Sequence, residues 1–304
     1  MIDIVIVNWN SGNLLAKCVG SIFTEKNNPL VNKIIIVDNH SSDESATQIN
    51  KDEKITILVN DENAGFSKAC NQGFRLCTSP YVLLLNPDAA VMETTLADCI
   101  AFMNANSAIQ ILGCKLLNDA GVKTASCSRF PSPVRIFYDA TGLSKIAPRL
   151  FNPATLMTDW DHNDSREVDL VMGAFMVIRK KLFEQIGFFD EQFFVYYEEV
   201  DFSKRLALSG GRTFYNKDIV AIHSGEGTTQ SVKAFRLFLS LYSRLQYAKK
   251  YFNSGGYLLV WVSTFFIEPF TRMFFHLVRG DTRAIGEVLK GIMMLIKKTP
   301  GKNE

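Results

Sequence analysis

Residues 81–88, Tyr-Val-Leu-Leu-Leu-Asn-Pro-Asp, set a carboxylate directly behind an apolar run. Five largely apolar residues fit an interior strand of a parallel sheet, covered on both faces. Pro87 has no N–H to give a ladder and ends the strand. Asp88 is thereby held at the strand's C-terminal end, the edge along which open α/β sheets bind ligands. An Asx-type turn is the plain alternative. A second acidic group lies at 187–201, Gly-Phe-Phe-Asp-Glu-Gln-Phe-Phe-Val-Tyr-Tyr-Glu-Glu-Val-Asp. Glu198, Glu199 and Asp201 follow an aromatic run and begin a helical pattern that continues through Phe202, Arg205, Leu206 and Leu208 to Gly210-Gly211. Acids in a first helical turn complement the macrodipole, which accounts for part of the cluster. Carboxylates against apolar walls also acquire raised pKa values and serve as bases. Any of the three acids could be that base. Adjacent helical residues diverge by about 100°, so Glu198 and Glu199 cannot both aim at one atom.

Two further strand ends carry polar groups. The first strand ends at Asn8-Trp9-Asn10 and the second at Asp38-Asn39. Both should face a ligand on the same edge. Asp38 can accept from a base N–H or a ribose hydroxyl, and Trp9 offers an apolar wall for a base. A helix N-cap for Asp38 and core packing for Trp9 are the alternatives. Lys68 opens the following helix. Beside a pyrophosphate it would neutralise charge; otherwise it is an exposed helical lysine.

The elements that must position these groups alternate. Strands are expected near 3–8, 33–38, 55–59, 81–85 and 109–113, and helices near 12–24, 42–50, 66–77 and 94–104. That order implies a doubly wound parallel sheet. Residues 115–165, with Pro131, Pro133, Pro148 and Pro153, are less regular and are expected to form mobile acceptor-side loops. A strand near 168–179, a helix at 180–186, the acidic helix at 198–209 and a short strand near 212–215 should precede a loop bearing His223. Beyond 232 the pattern is helical.

Taken in order over roughly residues 1–230, these segments resemble the family 2 glycosyltransferases of the GT-A fold, and among them the bacterial rhamnosyltransferase-like branch. Val-Ile-Val-Asn-Trp-Asn at 5–10 is similar to the family's first strand and nucleotide loop, and Val-Asp-Asn-His-Ser-Ser-Asp-Glu-Ser at 37–45 to the second. Asn-Ala-Gly-Phe-Ser-Lys-Ala-Cys-Asn-Gln-Gly at 63–73 is similar to its glycine-containing loop and helix. Asn86-Pro87-Asp88 stands in the place of the Asp-x-Asp metal motif, while Gly173-Ala174-Phe175 and the acidic helix start resemble the acceptor-side motifs.

The resemblance implies an α/β fold of GT-A type: a mostly parallel Rossmann-like sheet flanked by helices, with a C-terminal helical extension. It implies a catalytic domain over 1–231 and an extension over 232–304. Donor-nucleotide contacts would fall to Trp9, Asp38, Asn39, Gly65, Lys68 and Asn86, and the acceptor side to Gly173 and Glu198. Asp88, with His223, would bind Mg²⁺ or Mn²⁺; an ordinary loop histidine is the alternative for His223. Glu199 would be the base that takes the acceptor hydroxyl's proton as the anomeric configuration inverts. The chain departs from the family pattern twice. Asn86 replaces the first Asp, which lowers the charge at the metal site. A Glu-Glu pair replaces Glu-Asp, which lengthens the base by one methylene. The implied reaction moves L-rhamnose from dTDP-rhamnose to a glycan or lipid-linked saccharide in O-antigen or capsule assembly. A UDP-hexose or UDP-N-acetylhexosamine transferase is the rival within the class. A catalytically silent nucleotide-sugar-binding regulator is the rival outside it.

Composition agrees with an enzyme of soluble type: 304 residues, 47% hydrophobic. Met1-Ile2-Asp3 enters the first strand with no basic signal-peptide region, and the six cysteines form no Cys-x-x-Cys pair. Buried free thiols in a reducing, cytoplasmic compartment are expected. The net charge of +2 hides an asymmetry, because residues 233–304 hold twelve Lys/Arg against four Asp/Glu. That segment is also rich in Phe, Leu, Val and Trp, which favours an anionic membrane surface over nucleic acid. Residues 257–278, YLLVWVSTFFIEPFTRMFFHLV, are long enough to span a bilayer, yet Glu268, Pro269 and Arg272 sit in their middle. An interfacial helix on the inner face of the cell membrane is the first expectation, a homodimer surface the second and a true span the third.

Overall fold

The computed structural model describes residues 1–225 and 233–298. The chain divides into two compact units. One comprises Met1–Arg129, Asp161–Phe194 and Glu198–Thr228; the other comprises Phe130–Trp160, Val195–Tyr197 and Thr229–Glu304. This grouping differs from the expected division after 231, because Phe130–Trp160 and Val195–Tyr197 join the C-terminal helices.

The first unit is built from β1 (Ile2–Asn8), α1 (Asn13–Ile22), β2 (Val31–Asp38), β3 (Ile55–Val59), α2 (Phe66–Leu76), β4 (Tyr81–Leu85), β5 (Ala89–Val91), α3 (Thr95–Ala105), β6 (Ile109–Leu117), and the two-residue strands β7 (Lys123–Thr124) and β8 (Cys127–Ser128). After an excursion through the second unit it resumes with β9 (Arg166–Val168), β10 (Leu170–Val171), β11 (Phe175–Arg179), α6 (Lys181–Ile186), α7 (Glu198–Leu208) and β12 (Arg212–His223). The main sheet runs β3-β2-β1-β4-β11-β6-β12-β5. Its first four strands are parallel, in register from Asn8 opposite Asp38 to Val5 opposite Leu84. β11 then enters antiparallel to both β4 and β6, so the sheet is mixed rather than wholly parallel. The strands β1, β2 and β4 are buried on both faces, as near-continuous Ile/Val/Leu runs require. Leu15, Cys18, Val19 and Ile22 form the buried stripe of α1 at helical spacing. Gly73 lets α2 lie flat on the sheet, since a Cβ there would stand 2.5 Å from Val5.

Three expected elements differ. Residues 42–50 form turns, not a helix. Asp43 accepts from the backbone N–H groups of Gly12 and Ser45 and from the Ser45 hydroxyl, which are local bonds that compete with a helix. The strand expected over 168–179 breaks into β9, β10 and β11, with a turn closed by Phe175 N–H on Met172 O at 3.3 Å. The short strand near 212–215 extends to His223, past an irregularity between Asn216 and Val220. His223 therefore ends a strand instead of riding a loop.

The second unit is helical: α4 (Pro133–Thr141), α5 (Leu143–Ile146), α8 (Lys233–Tyr251), α9 (Ser254–Val262), a π-helical stretch (Ser263–Ile267), α10 (Glu268–Val278) and α11 (Thr282–Lys298). The irregular segment 115–165 is thus partly helical. Ser132 caps α4 by accepting from Arg135 N–H, and Pro133 follows at a position that needs no donor. Gly142 ends α4 at φ 79°, and a Cβ there would stand 2.8 Å from Phe275 of α10. The π stretch meets Pro269, which cannot donate; Glu268 N–H reaches back to Ser263 O.

Candidate functional site

The polar residues of the first unit gather where β1, β2, β4 and β12 end. Asn8 and Asp38 face each other in register across β1 and β2. Asn8 Nδ2 donates to Asp38 Oδ1 at 2.7 Å and to Ser45 Oγ at 2.8 Å. Asp38 is buried and also accepts from the Ser41 hydroxyl at 2.6 Å and from Ser41 N–H at 3.2 Å. Asn39 is buried too. Its amide donates to Asn63 Oδ1 and accepts from Asn60 Nδ2 and Ala64 N–H. Both residues shape loops: Asp38 the segment to Ser45, Asn39 the approach to α2. Trp9, directly after β1, is half-buried, with Asn10 beyond it at φ 52° accepting from Ser42 and Asp43 N–H.

Gly65 sits at φ 85°, and any Cβ there would come within 2.7 Å of Phe194. The backbone explains this tightness: Phe66 N–H donates to Phe194 O at 2.6 Å and the Ser67 hydroxyl to Phe193 O at 2.5 Å. Glycine is therefore required here by the approach of 193–194, whatever else the loop binds. Lys68 is exposed in the first turn of α2. Gly173 has open space around it, with only Leu84 at 4.0 Å from a notional Cβ.

Asn86 and Asp88 lie in the turn between β4 and β5. Asn86 N–H donates to Ala174 O and Ala89 N–H returns to Asn86 O, each at 3.0 Å. Asp88 is 8% exposed, and its Oδ1 lies 3.4 Å from Nε2 of His223. Pairing of β12 with β5 brings them together, His223 opposite Ala89. Ser224 N–H also donates to Asp88 O at 3.0 Å. Burial first, and the negative Asp88 second, push the Cys18 thiol far up. Among the described residues no group of three or more His, Cys, Asp or Glu side chains converges as a metal cage. Asp88 offers the carboxylate oxygen that Mg²⁺ and Mn²⁺ favour, and the adjacent His223 would add a nitrogen ligand.

The acids of α7 divide sharply. Asp201, fully buried, pairs with Arg205 Nε at 2.8 Å. That guanidinium also donates to the carbonyls of Ile186 and Phe188, so Asp201 anchors the turn after α6. Glu198 is buried and Glu199 half-buried. One carboxylate oxygen on each, Oε2, is shut away from solvent without a hydrogen-bond partner. Burial and then the charge of Glu199 drive Glu198 well above the usual carboxylate range; burial raises Glu199 as well. Both charges also act on the buried Cys70 thiol of α2. Orphaned buried carboxylate oxygens are rare and make Glu198 and Glu199 candidates for handling a proton or a ligand.

Sequence reasoning passed over Asn71. It is buried on α2 and clasps Phe189, donating to its carbonyl at 2.9 Å and accepting from its N–H at 3.0 Å. That holds the loop leading towards the acidic helix. An amide among Ala69, Cys70 and Phe74 on the apolar face of α2 was the available signal.

Comparison with known proteins agrees with this architecture. The sequence model described as Glycosyl transferase family 2 matches residues 3–187. A low-salt glycan biosynthesis hexosyltransferase of Haloferax volcanii is 25% identical over 263 residues, covering 84% of this chain and 77% of that protein. An N-acetylglucosaminyl-diphospho-decaprenol L-rhamnosyltransferase of Mycobacterium tuberculosis is 22% identical over 237 residues, with 73% and 76% covered. Among solved structures, a mannosyltransferase of Pyrobaculum calidifontis in complex with GDP-Man and Mn²⁺ superposes with a TM-score of 0.58 at 14% identity, covering 98% of this chain and 88% of that one. At such identity the likeness speaks to fold alone, and the fold is GT-A.

Proposed function

Because the chain belongs to glycosyl transferase family 2, we propose that it is an inverting hexosyltransferase that moves L-rhamnose from dTDP-rhamnose to a lipid-linked saccharide at the inner membrane surface, in surface polysaccharide assembly. The observation that carries the mechanism is the pair Glu198–Glu199, each with one buried, unpartnered carboxylate oxygen. A sugar hydroxyl is a poor nucleophile, and a carboxylate with a raised pKa takes its proton as the oxygen attacks the anomeric carbon. Glu199 is assigned that task and Glu198 the acceptor side. The diphosphate leaves from the opposite face, so one displacement inverts the configuration. Asp88 and His223 would hold the divalent cation, which supplies charge neutralisation for the diphosphate when bound. Asn86 contributes an amide in place of a second charge. On the nucleotide side Trp9 is assigned the part of a wall and Lys68, exposed on α2, that of a cation. Asp38, Asn39 and Gly65 complete the donor-nucleotide side, and the same residues shape the loops behind them.

The rhamnosyl donor is supported by the mycobacterial relative's own substrate, and a UDP-hexose by the broader hexosyltransferase kinship. Incubation with a panel of nucleotide sugars and a prenyl-diphosphate-linked saccharide separates them. Nucleoside diphosphate release is expected with dTDP-rhamnose, and Asp88→Ala should remove its stimulation by Mn²⁺ while leaving the melting transition in place. Release with a UDP-hexose instead would reassign the donor. Donor binding without release from any sugar would make the protein a silent binder.

A further inference from the structure

The run Ser254–Val278 is 25 residues long and apolar enough to cross a bilayer. The second unit argues for another disposition. Glu268, at the centre of the run, is 4% exposed and accepts from Arg244 Nη2 of α8 at 2.5 Å and from Arg272 Nη2 at 2.6 Å. Thr264 adds a further bond to Arg244 at 2.8 Å. A span at this position would carry Glu268 and Arg272 into the bilayer and part Glu268 from Arg244 of α8, and charges there are costly. The run instead turns this polar face inwards on α8, and Phe275 closes over Gly142.

Its opposite face is bare. Phe266, Phe270, Phe274 and Leu277 are 58–65% exposed, at the three- and four-residue spacing of one helical face. Met293 and Ile296 repeat that spacing on α11, exposed by 53% and 58%. Large contiguous apolar faces are unusual on a soluble monomer and mark an interaction surface. Charge narrows the partner. Of the three acids among the described residues 233–298, Glu268 is buried, Glu287 half-buried, and Asp281 alone exposed. Arg279, Arg283, Lys297 and Lys298 are exposed alongside. An aromatic face rimmed by cations is the composition of a helix lying in the headgroup region of an anionic leaflet.

We propose that the second unit is a monotopic membrane platform: α10 and α11 lie in the plane of an anionic bilayer surface, with Phe270, Phe274 and Ile296 among the acyl chains and Arg279 and Arg283 at the phosphates. This deepens the proposed function by naming the surface on which a lipid-linked acceptor is met, and rests on that reading only for its purpose. The test uses the full chain and extruded vesicles of phosphatidylcholine with or without phosphatidylglycerol. Co-sedimentation is expected with the anionic vesicles, weakening in roughly 0.5 M salt as screening shortens. Phe270→Ser combined with Phe274→Ser should lower partitioning by about tenfold or more, two buried aromatic side chains being withdrawn from the apolar phase. The same variant should keep its melting temperature and its turnover with a water-soluble acceptor, and alkaline carbonate should strip the wild type from membranes. Vesicle binding unchanged in the double variant overturns the proposal. So does resistance to carbonate, which indicates a span. So does a wild-type dimer that the variant converts to monomer with no vesicle binding, which makes the face a self-association surface. Binding is read independently of turnover, so vesicle binding with no transfer from any nucleotide sugar to the prenyl-diphosphate-linked saccharide would sink the functional reading alone.

Discussion

Glu198 and Glu268 are buried to nearly the same degree, 5% and 4% exposed, in different units of the molecule. For both, burial is the largest influence and by itself favours the neutral acid. Around Glu268 the charges and hydrogen bonds of Arg244 and Arg272 reverse that tendency and bring the carboxyl down to about 2. Around Glu198 the neighbouring charge is Glu199, of the same sign, and the carboxyl rises. Burial therefore does not say what a carboxylate is for; its partners do. A fully paired acid fastens helices together, whereas an acid with an orphaned oxygen remains able to take or give a proton.

The largest test of this contrast is Glu199→Gln. The amide keeps the shape and cannot accept the proton, so transfer should fall about 10²–10⁴-fold. Nucleotide affinity, measured by calorimetry on the same preparation, should hardly move. If Glu198→Gln is the dead enzyme and Glu199→Gln turns over normally, the roles within the pair are exchanged. Next in size is Glu268→Gln, which strands buried Arg244 and should cost about 3–5 kcal/mol in urea unfolding. The pH dependence supplies the sign. Glu268 is held below its ordinary 4.5, so its contribution is present above that value and is lost as pH falls towards about 2. The Gln variant should lose that part of the acid sensitivity. The smallest effect belongs to Glu198→Gln and has the opposite sign. A carboxyl raised on folding releases its proton more readily when unfolded, so the wild type loses stability as pH climbs from 4.5 through the raised value. The variant should melt higher than wild type at pH 8 and together with it at pH 4. A uniform shift at both values would mean that Glu198 acts through packing and not through its charge.

What could be read from the chain followed from how local each signal was. Asp88 was legible because Pro87 ends a five-residue apolar strand, and both facts sit within eight residues. The acidic start of α7 was legible for the same reason, although the fate of each acid was not. Asp201 is neutralised by Arg205, one turn on, whose other hydrogens reach the carbonyls of Ile186 and Phe188. Periodicity cannot report such a three-way clasp. Residues 42–50 misled because short polar side chains satisfied the backbone locally, in competition with the helix their pattern suggested. His223 was read as a loop residue because the irregularity between Asn216 and Val220 disguises one strand as two segments. Gly65 is legible as a loop glycine ahead of a helix; its crowding by Phe194, 129 residues away in sequence, is a tertiary fact invisible to spacing.

The cysteines have a use that lies outside catalysis. All six are free and buried, and all six fall within Met1–Arg129 of the first unit. Burial raises the thiols, Cys77 to about 12, so in the closed state there is almost no thiolate for an alkylating reagent. Labelling can then proceed only through openings of the sheet unit, and its rate clocks those openings, because the helical unit contributes no thiol. Pulsed alkylation with mass spectrometry thereby yields the opening free energy of one unit separately from the other, under native conditions and without introducing a probe.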